Sequence, residues 1–215
     1  MTTIGIIGSG NIGTAVAQAA IAIGDDVVIS NSRGPESLAD KVASLGEHAR
    51  AGTVAEAAAA GDLVLVAIPL AAIGALEPSD FDGKIVIDAN NYYPQRDGQI
   101  AELDDESTTS SELLQRQLPG AKVVKAFNHI MAAEILSTAT DAGNRDRRAL
   151  VVAGDDQAAK DTVAVFLDAI GFDALDIGPL AEGWRIQRDT PGYVQRFDRA
   201  GLQDAVNSAK RYRDM

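Results

Sequence analysis

Short apolar runs alternate along this chain with stretches whose apolar residues recur at helical spacing. Ile4 to Ile7 reads as a buried strand, Thr14–Ile23 (TAVAQAAIAI) as a small-residue helix, and Asp26–Ser30 (DVVIS) as a second strand. Short β-branched runs bounded by turn residues favour sheet, and longer periodic stretches favour helix. The same reading predicts an amphipathic helix from Pro35 to about Leu45, a third strand near Ala49–Gly52 and a helix at Val54–Ala60. Strands four and five fall at Leu63–Ile68 and Lys84–Asp88, and a helix at Thr109–Gln117 precedes a sixth strand at Ala121–Lys125. Asn128 and His129 open a further helical pattern. Two more strands, Ala149–Ala153 and Ala174–Ile177, flank a helix at Gln157–Ile170. Asn90–Ser107 reads as a polar loop, Gly178–Arg199 as irregular and polar, and Ala200–Arg213 as a closing helix. Such alternation predicts an α/β chain whose parallel sheet carries helices on both faces.

Between the first strand and the first helix stands Gly8-Ser9-Gly10-Asn11-Ile12-Gly13. In a G-x-G-x-x-G turn the first glycine permits the tight turn, the second lets backbone approach a pyrophosphate, and the third lets helix and strand pack closely. Helix N-terminal amides then hold the phosphates. Alone the pattern also fits a plain tight connection, but here it sits inside a βαβ unit of the right size. The fold expected is therefore a Rossmann-type, doubly wound parallel sheet. Residues 1–148 form the dinucleotide-binding domain in this reading, and residues 149–215 a small C-terminal α/β extension.

The tip of the second strand selects the dinucleotide. NAD sites place an acid there for the ribose 2′-hydroxyl, whereas NADP sites replace it with groups that take a 2′-phosphate. The tip reads Ser30-Asn31-Ser32-Arg33-Gly34-Pro35-Glu36-Ser37, with Asp25 and Asp26 at the opposite end of the strand. Arg33 can fork onto phosphate oxygens, with hydroxyls from Ser32 and Ser37 beside it. NADP(H) is the cofactor this predicts.

Composition narrows the partners. The 215 residues carry a net charge of -12 at pH 7, which argues against nucleic acid and anionic membrane surfaces. Phosphate binding must then be local. The longest apolar run, Leu63 to Leu76, is interrupted by Pro69 and Gly74 and is too short to span a bilayer. The N-terminus lacks signal-peptide anatomy, so a soluble cytoplasmic protein is expected. With no cysteine, thiolate and disulfide chemistry is excluded. The only histidines, His48 and His129, are too few for a histidine-rich metal site.

Loops after the strands should line the site, since open α/β sheets bind ligands at their carboxyl ends. They are Ala67-Ile68-Pro69, Ala89-Asn90-Asn91-Tyr92-Tyr93-Pro94 and Ala126-Phe127-Asn128-His129-Ile130-Met131. Pro69 can simply start a helix, Asn128 can cap one, and His129 is as well placed for a structural role as for catalysis. No tyrosine has a lysine four residues on, which removes the Tyr-x-x-x-Lys acid-base pair of short-chain dehydrogenases. The chain after Lys125 is too short for the large helical domain of hydroxyacid dehydrogenases. Hydride transfer to a flavin or deazaflavin tolerates both absences, because aligning two stacked rings is mostly positioning.

Taken together, GIIGSGNIGTAVA at 5–17, NSR at 31–33, VAIP at 66–69, VIDANN at 86–91 and VVKAFNHI at 123–130 resemble the coenzyme F420-dependent NADP oxidoreductases. VVAGDDQAAK at 151–160 and IGFDALDIGPL at 170–180 extend the resemblance over nearly the whole chain. It implies a dimeric protein that moves hydride between NADPH and coenzyme F420, with FMN or FAD as related partners. Carried over, it implies that Gly8, Ser9, Gly10, Asn11, Ile12 and Gly13 hold the pyrophosphate, and Ser32, Arg33 and Ser37 the 2′-phosphate. Ala67, Ile68, Pro69 and Asn90 border the nicotinamide, and Asn128, His129, Ile130 and Met131 the acceptor, with His129 as the candidate catalytic side chain. The loop Asn91–Pro94 and the tail Trp184–Phe197 lie outside the matched motifs. Two other readings stay open: reduction of a small carbonyl or imine compound with His129 or a tyrosine as proton donor, and a non-catalytic NADP-binding redox sensor.

Overall fold

The computed structural model describes residues 1–214. In chain order, β1 (Thr3–Ile7), α1 (Asn11–Ala22), β2 (Asp26–Ser30), α2 (Ala39–Leu45), β3 (Ala49–Ala51), α3 (Val54–Ala60) and β4 (Leu63–Val66) build the first half. β5 (Ile85–Asp88), α4 (Pro94–Asp97), α5 (Ala101–Asp104), α6 (Ser110–Gln117) and β6 (Lys122–Lys125) follow. α7 (Ala132–Ser137), β7 (Ala149–Gly154), α8 (Gln157–Ala169), β8 (Asp173–Asp176) and α9 (Arg199–Ser208) complete the chain. The strands form one sheet in the order β3-β2-β1-β4-β5-β6-β7-β8. This is a Rossmann-type α/β fold, and the chain reverses its direction of travel across the sheet between β1 and β4, where such sheets bind ligands.

Alternate residues of each central strand feed opposite layers, as a sheet covered on both faces requires. Ile4, Ile6, Val27, Ile29, Leu63, Leu65 and Val124 pack with α1 and α8 residues such as Val16 and Phe166. Ile7, Val28, Val64, Val66, Val86 and Val123 pack on the other face with Ala57 of α3 and Leu114 of α6. Ala149, Val151 and Leu175 of the last two strands join Leu202 and Val206 of α9 in a smaller third cluster.

Several sequence expectations change. β7 runs antiparallel to β6, in a sheet expected to be wholly parallel, and pairs with it only through Val124↔Gly154 and Lys125↔Ala153. Since the two strands meet by their carboxyl ends, Ala149–Val152 project past the end of β6, with β8 parallel alongside. An apolar run marks a strand without marking its direction. Second, no helix opens at Asn128 and His129; they lie in a turn, and α7 starts at Ala132. Third, Gly178–Arg199 is not wholly irregular and polar: a 3-10 turn spans Leu180–Ile186 and buries Leu180, Trp184 and Ile186. The closing helix ends at Ser208, short of the expected Arg213.

α1 lies against the end of β1 with no room to spare. A Cβ on Gly13 would sit 1.9 Å from the Gly8 carbonyl oxygen, and one on Gly8, at φ +114°, would sit 2.2 Å from the Ala67 carbonyl oxygen. Both obstacles are backbone atoms that cannot rotate away. Gly13→Ala is expected to lower the unfolding free energy by about 3 kcal/mol or more, beyond ordinary overpacking, as read by urea denaturation.

Candidate functional site

The glycine turn leaves the first turn of α1 without internal partners. Gly10 precedes the helix in extended conformation (φ -73°, ψ -168°), with no side-chain cap and no acid in the first turn. The orphan N–H groups at such an end favour an anion. A Cβ on Gly10 would meet no atom within 4 Å, so its missing side chain answers no demand of the fold. The turn is fastened from below, because Gly8 N–H donates to the Ser30 carbonyl at 3.1 Å.

A groove of about 680 Å³ runs along this turn. Gly8, Ser9, Gly10, Ser32, Arg33, Ala67, Ile68 and Pro69 all line it, with Asn31 and Leu76. Among the described residues no acidic side chain does. Asn31 organises the strand tip: its Oδ1 accepts from Arg33 N–H at 2.8 Å, and its Nδ2 donates to Ser37 Oγ at 2.9 Å and toward Ser9 Oγ at 3.4 Å. The exposed Arg33 guanidinium has no ion pair or hydrogen bond among the described residues. Ser37 is not brought into the groove, and its hydroxyl donates to the Gly34 carbonyl at 2.7 Å.

Beyond the turn lies a second groove of about 290 Å³, lined by Asn11, Ile12, Ala89, Asn91, Tyr93, Phe127, Asn128, Ile130, Met131 and Tyr193 among others. A buried polar network at the tips of β5 and β6 adjoins it in the chain, although Asp88, Asn90 and Lys125 line neither groove. The buried Lys125 ammonium donates to Asp88 at 3.1 Å, to the Asn90 carbonyl at 2.5 Å and to Ser110 at 3.2 Å. Asp88 also takes the Asn90 N–H at 2.9 Å and the Ser111 hydroxyl at 2.5 Å. A buried ion pair needs such extra bonds to offset desolvation. Asn90 in turn accepts from Ile68 N–H at 2.9 Å, so one polar chain links β6 to the backbone just before Pro69. Asn91 and Asn128 clasp each other, Asn91 Nδ2 to the Asn128 carbonyl at 2.7 Å and Asn128 Nδ2 to Asn91 Oδ1 at 3.2 Å. Two buried atoms, Asn90 Nδ2 of this network and Asn128 Oδ1 beside the second groove, have no partner among the described residues.

His129 lines neither groove and is 1% exposed. Its Nε2 accepts the Val151 N–H at 3.0 Å. That amide lies on the stretch of β7 that overhangs β6, where no strand supplies an acceptor; the neighbouring Ala149 N–H is taken by the Phe197 carbonyl at 2.9 Å. The ring stands in for a missing strand. Burial above all, then the Arg148 and Lys125 charges, lowers its pKa to about 3, with the Gly192 backbone opposing. The neutral ring can accept, and a protonated one cannot. The His129 carbonyl also takes the Val194 N–H at 3.1 Å, holding a β-branched residue at φ +50°. Phe127 is held at φ +62° on the same groove; strained non-glycine positions cost about 1–3 kcal/mol each and cluster at functional sites.

Sequence reading did not single out Asn31, Asp88, Lys125 or Tyr193 as site residues. The strand tip does place Asn31 beside Arg33. The others acquire their roles only through contacts between distant segments.

Residues 3–92 match the family described as NADP oxidoreductase, coenzyme F420-dependent. They form a domain of that family. The chain is 31% identical over 187 residues to the metalloreductase STEAP3 of Rattus norvegicus, a match covering 86% of the chain and 35% of that protein. It spans between a third and a half of the length of the curated relatives it matches. Among solved structures, a hypothetical protein from Sinorhizobium meliloti is 33% identical with a TM-score of 0.76, covering 92% of this chain and 95% of that one. A protein from Arthrobacter sp. FB24, provisionally assigned as an F420-dependent NADP reductase, is 28% identical with a TM-score of 0.69, covering 83% and 86%. The family match ends at Tyr92, one residue before Tyr93.

Gly10→Ala is expected to keep its thermal midpoint and to bind NADPH at least about tenfold more weakly, since a new methyl meets only the ligand's space. Equal loss of stability in Gly10→Ala and Gly13→Ala would contradict this division of roles. His129 gives a pH prediction. Between about 3 and its ordinary 6.5, only the unfolded chain binds the proton. Its stabilising effect is therefore complete above pH 6.5 and lost as pH falls, by up to about 1.4 kcal/mol per pH unit. Urea unfolding of His129→Gln should show a slope against pH shallower by that amount.

Proposed function

We propose that the chain binds NADP(H) in the first groove and passes a hydride between it and a flavin or deazaflavin ring held in the second. The observation that carries the reading is the strand tip, where an unpaired guanidinium borders a groove that no carboxylate lines. A 2′-phosphate complements that tip, and a bare ribose diol does not. Two further features support it: open space above Gly10 for a pyrophosphate, and a spare acceptor, Asn128 Oδ1, on a residue that lines the second groove. NADPH, when bound, supplies the hydride from its nicotinamide ring.

The protein's own contribution is positioning. Arg33 and Ser32 hold the phosphate end, and the first-turn amides of α1 hold the pyrophosphate. The Ala67–Pro69 backbone, fixed through Ile68 by Asn90, borders the reactive end. Ile12, Phe127 and Ile130 give the second groove apolar walls that favour a planar ring over water. The match of residues 3–92 to the F420-dependent family supports an acceptor of this class.

An acceptor screen tests the reading through loss of NADPH absorbance. Rapid oxidation is expected with coenzyme F420 or FMN, and no turnover with either would overturn it. Arg33→Ala should weaken NADPH about tenfold or more while changing NADH less than twofold, as a charge-assisted contact of about 1.5–3 kcal/mol implies. Equal losses for both cofactors would place Arg33 elsewhere.

A further inference from the structure

Tyr93 and Tyr193 are 100 positions apart in the chain, and their hydroxyl oxygens lie 2.5 Å apart. Both line the second groove, beside Asn11 and Ile12 of the glycine turn. One comes from the loop Asn91–Pro94 and the other from the tail Trp184–Phe197, and both tyrosines lie beyond residue 92, where the family match ends. The tail is held under backbone strain at Val194, clamped by the His129 carbonyl. A hydroxyl pair needs only one of its two protons for the mutual bond, so one O–H remains to donate.

Resting on the hydride-transfer reading above, we propose that this pair delivers the proton that accompanies the hydride, with Tyr193 as the catalytic donor and Tyr93 as its relay. The step balances as a two-electron reduction. The acceptor ring takes a hydride from NADPH at one position and the Tyr193 proton at a ring nitrogen, Tyr93 reprotonates Tyr193, and water reprotonates Tyr93. Charge leaving the donor thus ends on Tyr93. Two guanidinium groups lie near that ring, Arg96 at 4.8 Å and Arg188 at 6.0 Å from its centroid. Asp97 and Asp189 pair with those arginines at 2.8 and 3.0 Å and temper their field. Burial and the Tyr93 hydroxyl raise the pKa of Tyr193, so its proton is released only in concert with hydride arrival, when charge builds on the acceptor ring.

Tyr193→Phe and Tyr93→Phe test the proposal against wild type, with FMN and coenzyme F420 as acceptors. A general acid contributes about a hundredfold or more, so kcat should fall by about that factor in Tyr193→Phe and by less in Tyr93→Phe. The dissociation constants of NADPH, and of FMN with the NADP-loaded protein, should change less than fivefold. Wild type should slow in deuterium oxide, and Tyr193→Phe should not. The proposal is overturned by variant rates within twofold of wild type, by a wild type insensitive to deuterium oxide, or by affinities that fall as far as the rates. A wild type that neither binds nor reduces either acceptor overturns the hydride-transfer reading itself, and this proposal with it.

Discussion

The approach of α1 to the end of β1 constrains the ligand side of this molecule most tightly. With 1.9 Å between the Gly8 oxygen and the place where a Gly13 side chain would begin, the helix start is pressed onto the strand and its free amides face the crevice between β1 and β4. Gly8 N–H bound to Ser30 extends the constraint to β2, so the turn is tied to the strand that carries the Asn31–Arg33 tip. In the proposed NADP(H) complex the pyrophosphate is thereby held by backbone, and the 2′-phosphate by the Arg33 side chain that this tip carries. Stability and binding are divided among three glycines a few residues apart.

The surroundings of the second groove, the proposed acceptor side, are built differently, from polar side chains that replace absent backbone partners. The Lys125–Asp88 pair fixes Asn90, and Asn90 fixes Ile68. His129 supplies an acceptor where β7 outruns β6, and its carbonyl anchors the strained segment that carries Tyr193. A buried neutral imidazole suits that task because its acceptor lone pair survives well below neutral pH. The overhang of β7 and β8 gives the C-terminal part of the chain its place above the carboxyl rim.

The parts legible in the sequence were those encoded within one segment. Leu63–Val66 and Val27–Ile29 announce buried strands because both of their faces are covered, and the glycine turn carries its spacing on its face. Arg33 at the tip of β2 could be placed because a βαβ unit fixes where that tip lies. What stayed hidden depends on contacts between distant positions: the tyrosine pair 100 residues apart and the His129–Val151 bond 22 apart. His129 shows the cost of reading a titratable residue from its type alone, since burial turns a candidate acid into a fixed acceptor. Strand direction was hidden for the same reason, because β7 is antiparallel by virtue of its connection rather than its composition.

Equilibrium titration of the wild-type protein with NADPH and NADH, followed by nicotinamide fluorescence, tests the central claim most directly. The claim is that the groove beside Gly8 and Gly10 is built for a 2′-phosphorylated dinucleotide. NADPH binding at least about tenfold tighter than NADH is the predicted result, in line with one charge-assisted contact to Arg33. Equal affinities, or a preference for NADH, would contradict it.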